Sequence, residues 1–419
     1  MLERLLGRKT STEVAETEIR AALSRIGSLT LRTVMQSEVD RADAQRVTAE
    51  AMVRHGRRPI WVRSLWGDFQ IVRAYYTAEA GGQGDAPSDS SLGLWQSYTP
   101  VMARTLSKLA AQLPFEAAAA MLHEMTAATV NGRQFHRLTA EVGTVARAWL
   151  DPQKAPADPS SIFYVSFDGV AVPMRKECLK GRRGRAPDGT AKTREIRLGC
   201  TFTQTKTDEH GNPVRDPAST TYLASLSSSH DFGHQMRAEA RRRGMTANRR
   251  VVVLTDGALW CETLASVNFP GRTHILDFFH AAEHVGALAL ALLGEGKATT
   301  VQFRAWRRAL RRGKAAVLIA EAQSMLGKAH DREAAERNIR YLEHNLERMR
   351  YADFRKQGLF IGSGVVEAGC KTVVAQRAKL SGMLWGEKGI DDILALRCLF
   401  LSRRLDRFWD DALARPHAA

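Results

Sequence analysis

Apolar positions in the first 57 residues recur at helical spacing, with Val14, Ile19, Ala22, Leu23, Ile26 and Leu29 predicting a helix over 12–57. The period then changes. Ile60–Leu65 and Phe69–Tyr76 predict two strands about a turn at Trp66, Gly67 and Asp68. A Gly/Pro/Ser-rich stretch from Ala80 to Ser91 reads as a loop. Helical periodicity returns between Leu92 and Leu150, where Phe115–Met125 and Gly132–Val142 form two short amphipathic segments around a Thr/Ala/Asn turn. That is the layout of a helix-turn-helix, and Arg133, Gln134, His136 and Arg137 stand early in its second helix, where contacts to a DNA groove arise.

Pro152, Pro156 and Pro159 mark a linker over Asp151–Ser160, after which strands and helices alternate. Ile162–Phe167, Glu195–Lys206 and Thr220–Ser228 predict three strands, and Phe232–Arg243 a basic helix. Arg250–Thr255, dense in β-branched residues, predicts a buried strand. Leu259–Val267 predicts a helix, Thr273–Leu276 a strand, and the residues from Phe278 to Leu293 a further helix. Three strands followed by helix-linked ones give the order of an RNase H-like fold: an α/β mixed sheet flanked by helices. The Arg-rich helical stretch over 297–350 interrupts it before a last helix near Gly364–Lys379. The domain boundaries expected are a helical segment at 1–58, a strand pair with a DNA-binding unit at 59–150, and the first part of the catalytic core at 160–293. A helical insertion at 294–355, the end of the core at 356–410 and a tail at 411–419 follow.

Charge adds a partner to this picture. The 419 residues carry 61 Lys and Arg against 45 Asp and Glu, a net +16, and an excess of that size points to a polyanion. No uncharged apolar run of spanning length appears, so nucleic acid is favoured over a membrane. The five cysteines are scattered, odd in number and never spaced as C-x-x-C, which argues against a disulfide framework or a zinc ribbon. The charged start, Met1 to Thr10, lacks the apolar stretch of an export signal, and the expected location is a reducing cytoplasm.

Two acids share one local grammar, an apolar strand followed by Asp and Gly: Phe167-Asp168-Gly169 and Thr255-Asp256-Gly257. The expectation is that each Gly turns the backbone sharply and leaves the carboxylate at the strand's mouth. A third acid, Glu367, opens the last helix beside Ser363, with Lys371 one turn on. Carboxylates converging from strand ends are what two-metal phosphodiester chemistry requires, with Mg2+ or Mn2+ as hard, oxygen-seeking ions. Two other patterns compete. Gly362-Ser363-Gly364-Val365-Val366-Glu367 starts like a dinucleotide fingerprint but has Glu at its sixth position, so that reading fails. His280-Ala281-Ala282-Glu283-His284 matches the H-x-x-E-H pattern of a zinc peptidase; the favoured reading places both His beside Asp277 in the core or behind the site.

Cations recur around these acids. Arg175–Arg197 holds nine Lys or Arg against three acids, including Arg182, Arg183 and Arg185. Arg304, Arg307, Arg308, Arg311, Arg312 and Lys314 recur at helical spacing in the insertion, and Arg377 and Lys379 follow Glu367. Such groups would offset repulsion between the acids and phosphate. Trp306 and Trp385 are candidates to stack on unpaired bases, although a single Trp is more often a buried anchor.

At these residues the chain resembles the DDE transposases of bacterial insertion sequences, most closely the ISKra family, from about Ile60 to Trp409. The segments carrying the resemblance are Val165-Ser166-Phe167-Asp168-Gly169-Val170, Leu254-Thr255-Asp256-Gly257-Ala258, Ile275 to His284, Ile361 to Lys371, and Gln376 to Trp385. It implies that Asp168, Asp256 and Glu367 are a catalytic triad holding two ions, with Asp277 and His280 beside it. It also implies an insertion after His284, double-stranded DNA with terminal inverted repeats and a target as partner, and a homodimer or larger assembly. The chain departs from relatives at Ala78, Glu79 and Gly81 to Gly84, where they often carry cysteine pairs, so no zinc is expected there. A catalytically silent, domesticated DNA-binding protein is the other class considered.

Overall fold

The computed structural model describes residues 11–45, 52–78, 86, 88–155, 158–184 and 189–414, which fall into two compact units. The first runs to Trp149 and includes the C-terminal helix; the second spans Leu150–Arg403.

In the first unit a 34-residue helix, α1 (Thr12–Gln45), lies on a hairpin of β1 (Met52–Ser64) and β2 (Gly67–Ala78). The predicted helix to residue 57 ends earlier: Met52 already belongs to β1, and residues 46–51 lie outside the described chain. Leu31, Met35 and Val39 of α1 pack on Val62, Phe69 and Ile71, which closes a small core. Gly67 turns the hairpin at φ +105°, where a side chain would strain the backbone. A short helix α2 (Ser88–Ser91) is followed by α3 (Pro100–Gln112), α4 (Phe115–Met125) and α5 (Gly132–Ala148). The two segments predicted as a helix-turn-helix are thus α4 and α5. A capping box starts α5: Asn131 accepts from the Gln134 amide at 3.0 Å, and Gln134 Oε1 accepts from the Asn131 amide at 3.0 Å.

The second unit is built on a five-stranded sheet of order β7-β4-β3-β8-β9. Its strands are β3 (Ile162–Pro173), β4 (Thr193–Gln204), β7 (Thr221–Ser225), β8 (Val251–Thr255) and β9 (Thr273–Leu276); β5 (Lys206–Thr207) and β6 (Pro213–Val214) make a side hairpin. β3, β4 and β7 pair antiparallel, whereas β3, β8 and β9 pair parallel. This is the RNase H-like order expected. On one face Phe163, Val165, Phe167 and Val253 bury against α6 (Ser229–Arg242) and α7 (Leu259–Asn268) through Phe232, Met236, Cys261, Leu264 and Phe269. On the other, Tyr164 stacks on Phe202 at 4.7 Å and Phe360 meets both rings edge-on. Burial on both faces explains why β3 and β8 read as apolar runs rather than alternating strands.

After β9 come α8 (Phe278–Leu293) and the insertion, α9 (Lys297–Arg311), α10 (Ala315–Met325), α11 (Arg332–His344) and α12 (Tyr351–Lys356). Then follow α13 (Gly364–Gly369), a π-helical turn at Cys370–Ala375, α14 (Gln376–Ala378) and α15 (Glu387–Leu401). The last helix, α16 (Leu405–Ala414), which spans the expected boundary at 410 between the end of the core and the tail, groups with the first unit: Trp409 meets Trp95 edge-on at 5.0 Å, and Trp149 Nε1 donates to Asp411 at 2.9 Å. Among the described residues no helix is long and apolar enough to cross a membrane.

Candidate active site

Asp168 does not end its strand. Parallel pairing of β3 with β8 stops at Ser166 opposite Leu254, but antiparallel pairing with β4 continues to Pro173. Asp168 therefore stands just past the carboxyl end of β8, where β3 has lost a neighbour and its half-buried side chain lines a cleft. The expected sharp turn at Gly169 is absent; Gly169 stays extended in the strand, and the Glu195 side chain occupies the place where its Cβ would be. Asp256 follows the grammar as expected. It leaves β8, accepts from the Ala258 amide at 3.0 Å, and is followed by Gly257 at φ +84°. A side chain at 257 would strike Tyr341 and Leu276. Glu367 lies in the first turn of α13, where the Ser363 hydroxyl donates to its Oε1 at 2.7 Å.

These acids, 88 and 111 positions apart in sequence by their numbers, line one cleft of about 180 Å³. Phe167, Asp277, Phe279, His280, Glu283, Ser363 and Val366 complete the wall. Asp277 is buried and structural, accepting from the His280 amide at 2.7 Å and the Ser363 amide at 2.5 Å. It caps α8 and pins the start of α13 with one carboxylate. Burial holds the Asp168 carboxyl above its ordinary range, and the like charges of Asp256 and Glu367 add to that rise. Donation from the Cys370 thiol, at 3.1 Å to Asp168 Oδ2, and from the Gly169 amide works against it.

Five carboxylates and one imidazole line the cleft, with no Lys or Arg among its described lining residues. Such a donor set suits a hard divalent cation, Mg2+ or Mn2+, and leaves repulsion that a cation would relieve. Among the described residues no three His, Cys, Asp or Glu side chains are grouped to hold an ion as they stand. Each acid is hydrogen-bonded within the protein, Asp168 to Cys370, Asp256 to Ala258 and Glu367 to Ser363.

The H-x-x-E-H run does not gather as a zinc pair. His284 gives its Nδ1 to Asn338 at 2.8 Å and lies face-on over Tyr341 at 3.6 Å, with burial depressing its pKa. His280 lines the carboxylate cleft, with Nδ1 3.5 Å from Glu283. Lys371 is exposed on the π-helical turn and is not in the cleft wall.

The structure divides the cations. Arg133, Arg137, Arg182, Arg183, Arg308, Arg312 and Lys379 are exposed, while Arg185 lies outside the described residues. Arg377, expected on DNA, is 1% exposed, with its guanidinium 5.3 Å from the Trp385 ring centroid and its pKa lowered to about 10 by burial and Arg397. It belongs to the core. Gln134 is spent on the capping box, and His136 meets Phe115 edge-on. Trp306 and Trp385 are buried, donating to Glu321 at 2.8 Å and to the Ala378 carbonyl at 3.0 Å, so neither is a stacking platform. Along α9, Arg304, Arg307, Arg308 and Arg311 are exposed, with Arg307 over the ring of Phe278.

Residues that sequence reasoning missed are Cys370, Cys261 and Tyr341. Cys370 is three residues beyond Glu367 on one helical face, a signal that was present. Cys261 is buried near Asp256, and burial followed by that charge pushes its thiol up. Tyr341 reaches Asp256 from the insertion, and no local pattern announces such a contact.

No family model and no curated protein matches the chain. Among solved structures it is similar to the Drosophila P element transposase in its strand transfer complex: 11% identity over 78% of this chain and 83% of that one, with a TM-score of 0.30. That likeness is too distant to carry an argument. The functional reading stands on the cleft.

Proposed function

We propose that this chain is a DNA transposase of the DDE type, cutting element ends and joining them to target DNA. The observation that carries the reading is the meeting of Asp168, Asp256 and Glu367, from two adjacent strands and a distant helix, in one cation-free cleft of an RNase H-like sheet. Asp168 and Asp256 would hold two magnesium or manganese ions, with Glu367 completing one shell. Bound there, the ions supply activation of the attacking oxygen and stabilisation of the leaving one.

The chain's own groups do the remaining work. Phe167, Phe279 and Val366 give the cleft apolar walls that limit water beside the acids. Asp277 fixes the start of α13 and so the position from which Glu367 points. Exposed Arg308 and Arg312, with Arg182, Arg183 and Lys379, are proposed to grip phosphates of double-stranded DNA, and Arg133 and Arg137 of α5 a terminal repeat. Water then cleaves a phosphodiester at the element's end, and the freed 3′-hydroxyl attacks the target in line, with no protein–DNA bond formed.

Asp256→Asn tests it. The expected result is loss of nicking on an end-containing duplex with magnesium or manganese, while binding to that duplex is retained. Undiminished cutting by the variant would remove the assignment, and a wild type that binds ends without cutting them would favour the silent DNA-binding protein.

A further inference from the structure

Helix α6 opens with two exposed histidines one turn apart, His230 and His234, while its Phe232 and Met236 enter the core. Residues four apart share a helix face, so the backbone itself brings the two rings together. They meet edge-on with centroids 4.5 Å apart, and their Nε2 atoms stand 3.2 Å from one another. The other nitrogen of His230 is already engaged. Its Nδ1 lies 3.4 Å from Asp231 Oδ1, and an ionised carboxylate only accepts, so the ring proton sits on Nδ1 and the Nε2 lone pair is free. Asp231 is fixed in turn. Its Oδ2 accepts from the Ser228 hydroxyl at 2.7 Å, and that hydroxyl accepts from the Asp231 amide at 3.1 Å, capping α6. The Ser228 bond first, and then His230, holds the Asp231 carboxyl below its ordinary range.

We infer that His230 and His234 form a two-ligand site for a divalent transition ion of the zinc class, separate from the carboxylate cleft. The spacing suits such an ion: bonds of about 2.0–2.1 Å from both Nε2 atoms, across their 3.2 Å gap, meet at about 100–105°, near the tetrahedral angle that zinc takes. The donors select the metal, since imidazole nitrogen suits zinc, copper and nickel and not hard magnesium. The chain Ser228–Asp231–His230 supplies what a ligating imidazole needs behind it, a carboxylate that fixes the tautomer and strengthens the nitrogen as a donor. Asp231 also offsets the positive end of the helix dipole, which by itself disfavours a cation at the first turn. The nearest Lys or Arg along α6 is Arg237, three residues beyond His234. His280 and His284 have the same sequence spacing, yet their rings stand 5.4 Å apart and His284 is tied to Asn338. With two protein nitrogens bound, the remaining positions on the ion fall to water or to a donor from another molecule. The inference does not depend on the catalytic reading.

The test is titration of the untagged full-length chain with zinc by calorimetry, with magnesium in large excess so that carboxylate sites do not compete. The wild type is expected to take up one zinc in the micromolar range that His230→Ala and His234→Ala each lose, by at least tenfold in affinity. His234→Gln can still hydrogen-bond to His230 but is a poor ligand, and it should lose the ion equally. Asp231→Asn should weaken zinc about tenfold. All three positions are exposed, so circular dichroism should be unchanged in every variant. With copper(II) in place of zinc, electron paramagnetic resonance should show coupling to two imidazole nitrogens in the wild type and to one in either alanine variant. A wild type that takes up no zinc overturns the inference, and the 3.2 Å contact is then an N–H···N bond between neutral rings. Zinc retained by both alanine variants, or by His234→Gln, overturns it as well, because the ion is then held elsewhere. An unchanged affinity in Asp231→Asn overturns the part given to the carboxylate.

Discussion

The Tyr341 hydroxyl donates to the backbone carbonyl of Asp256 at 2.8 Å. It joins the insertion to the turn that carries a proposed metal ligand. The same ring lies face-on against His284, whose Nδ1 is held by Asn338, and burial followed by the nearby Asp256 charge pushes the phenol up, so it remains a donor. A few residues on, His344 and Arg348 reach Glu262 in α7 at 2.8 and 3.0 Å. The insertion therefore braces both sides of the Asp256 turn.

Tyr341→Phe should retain the stack on His284 and lose the bond to Asp256. We expect a stability loss of about 0.5–1.5 kcal/mol in urea unfolding. The cleavage rate should fall about tenfold, the size of a 1.4 kcal/mol misplacement. An unchanged rate would show that the turn holds Asp256 without the tyrosine.

Asp168→Asn should stabilise the metal-free protein. The folded carboxyl titrates above its ordinary 3.8, so its contribution to stability is complete below that value and is lost as pH rises through the folded one. At neutral pH the ionised group is a burden on the fold. The expected result is a higher Tm for the variant at pH 7, about 2–4 °C per kcal/mol of strain relieved. Added magnesium should raise the Tm of the wild type and leave the variant's nearly unmoved.

His274 predicts acid sensitivity from the opposite direction. It is a partner of the Thr255 hydroxyl at 2.9 Å, and burial, with Arg348 and Arg272, lowers its pKa to about 3 from 6.5. The unfolded chain takes up a proton below 6.5 that the folded chain refuses, so stability present above 6.5 is lost as pH falls towards 3. Between pH 6.5 and 5 that amounts to about 2 kcal/mol. Unfolding by urea at both values should show this component in the wild type and not in His274→Gln.

Arg308→Ala and Arg312→Ala remove exposed cations from the end of α9. If both meet phosphates, affinity should fall by a similar factor for every duplex sequence, and the slope of log K against log salt should drop by about one for each. Fluorescence anisotropy at several salt concentrations measures it, and a loss confined to element ends would instead mark base reading.

Much of this architecture was legible in the chain. The parallel half of the sheet was foreseen closely, because Arg250–Thr255 and Thr273–Leu276 are short apolar runs with punctuated ends. Asp256 and Glu367 were legible as a strand end and a helix start, whereas Asp168 lies within β3 and not at its end. Less so was β1, whose Arg54, Arg57 and Arg58 belong to an exposed, bulged hairpin without the contrast that pattern reading needs. The role of Gly169 was misread since a strand followed by Asp-Gly looks alike whether the chain turns or β4 keeps it paired. Arg377 was misread because composition cannot separate a cation under Trp385 from one on the surface.

The π-helical turn that follows Glu367 has a further consequence. A wide turn takes up one residue more than an ordinary helix would spend between the same two ends. Here the far end is moored: Arg397 Nε donates to the Val373 carbonyl at 2.6 Å, and Arg377 is sunk beneath Trp385. Removing that surplus residue would rewind the segment by about 100° and swing the Glu367 carboxylate out of the cleft. The aim of the third acid is thus set by counting, through a single extra residue in the turn that also brings Cys370 to Asp168.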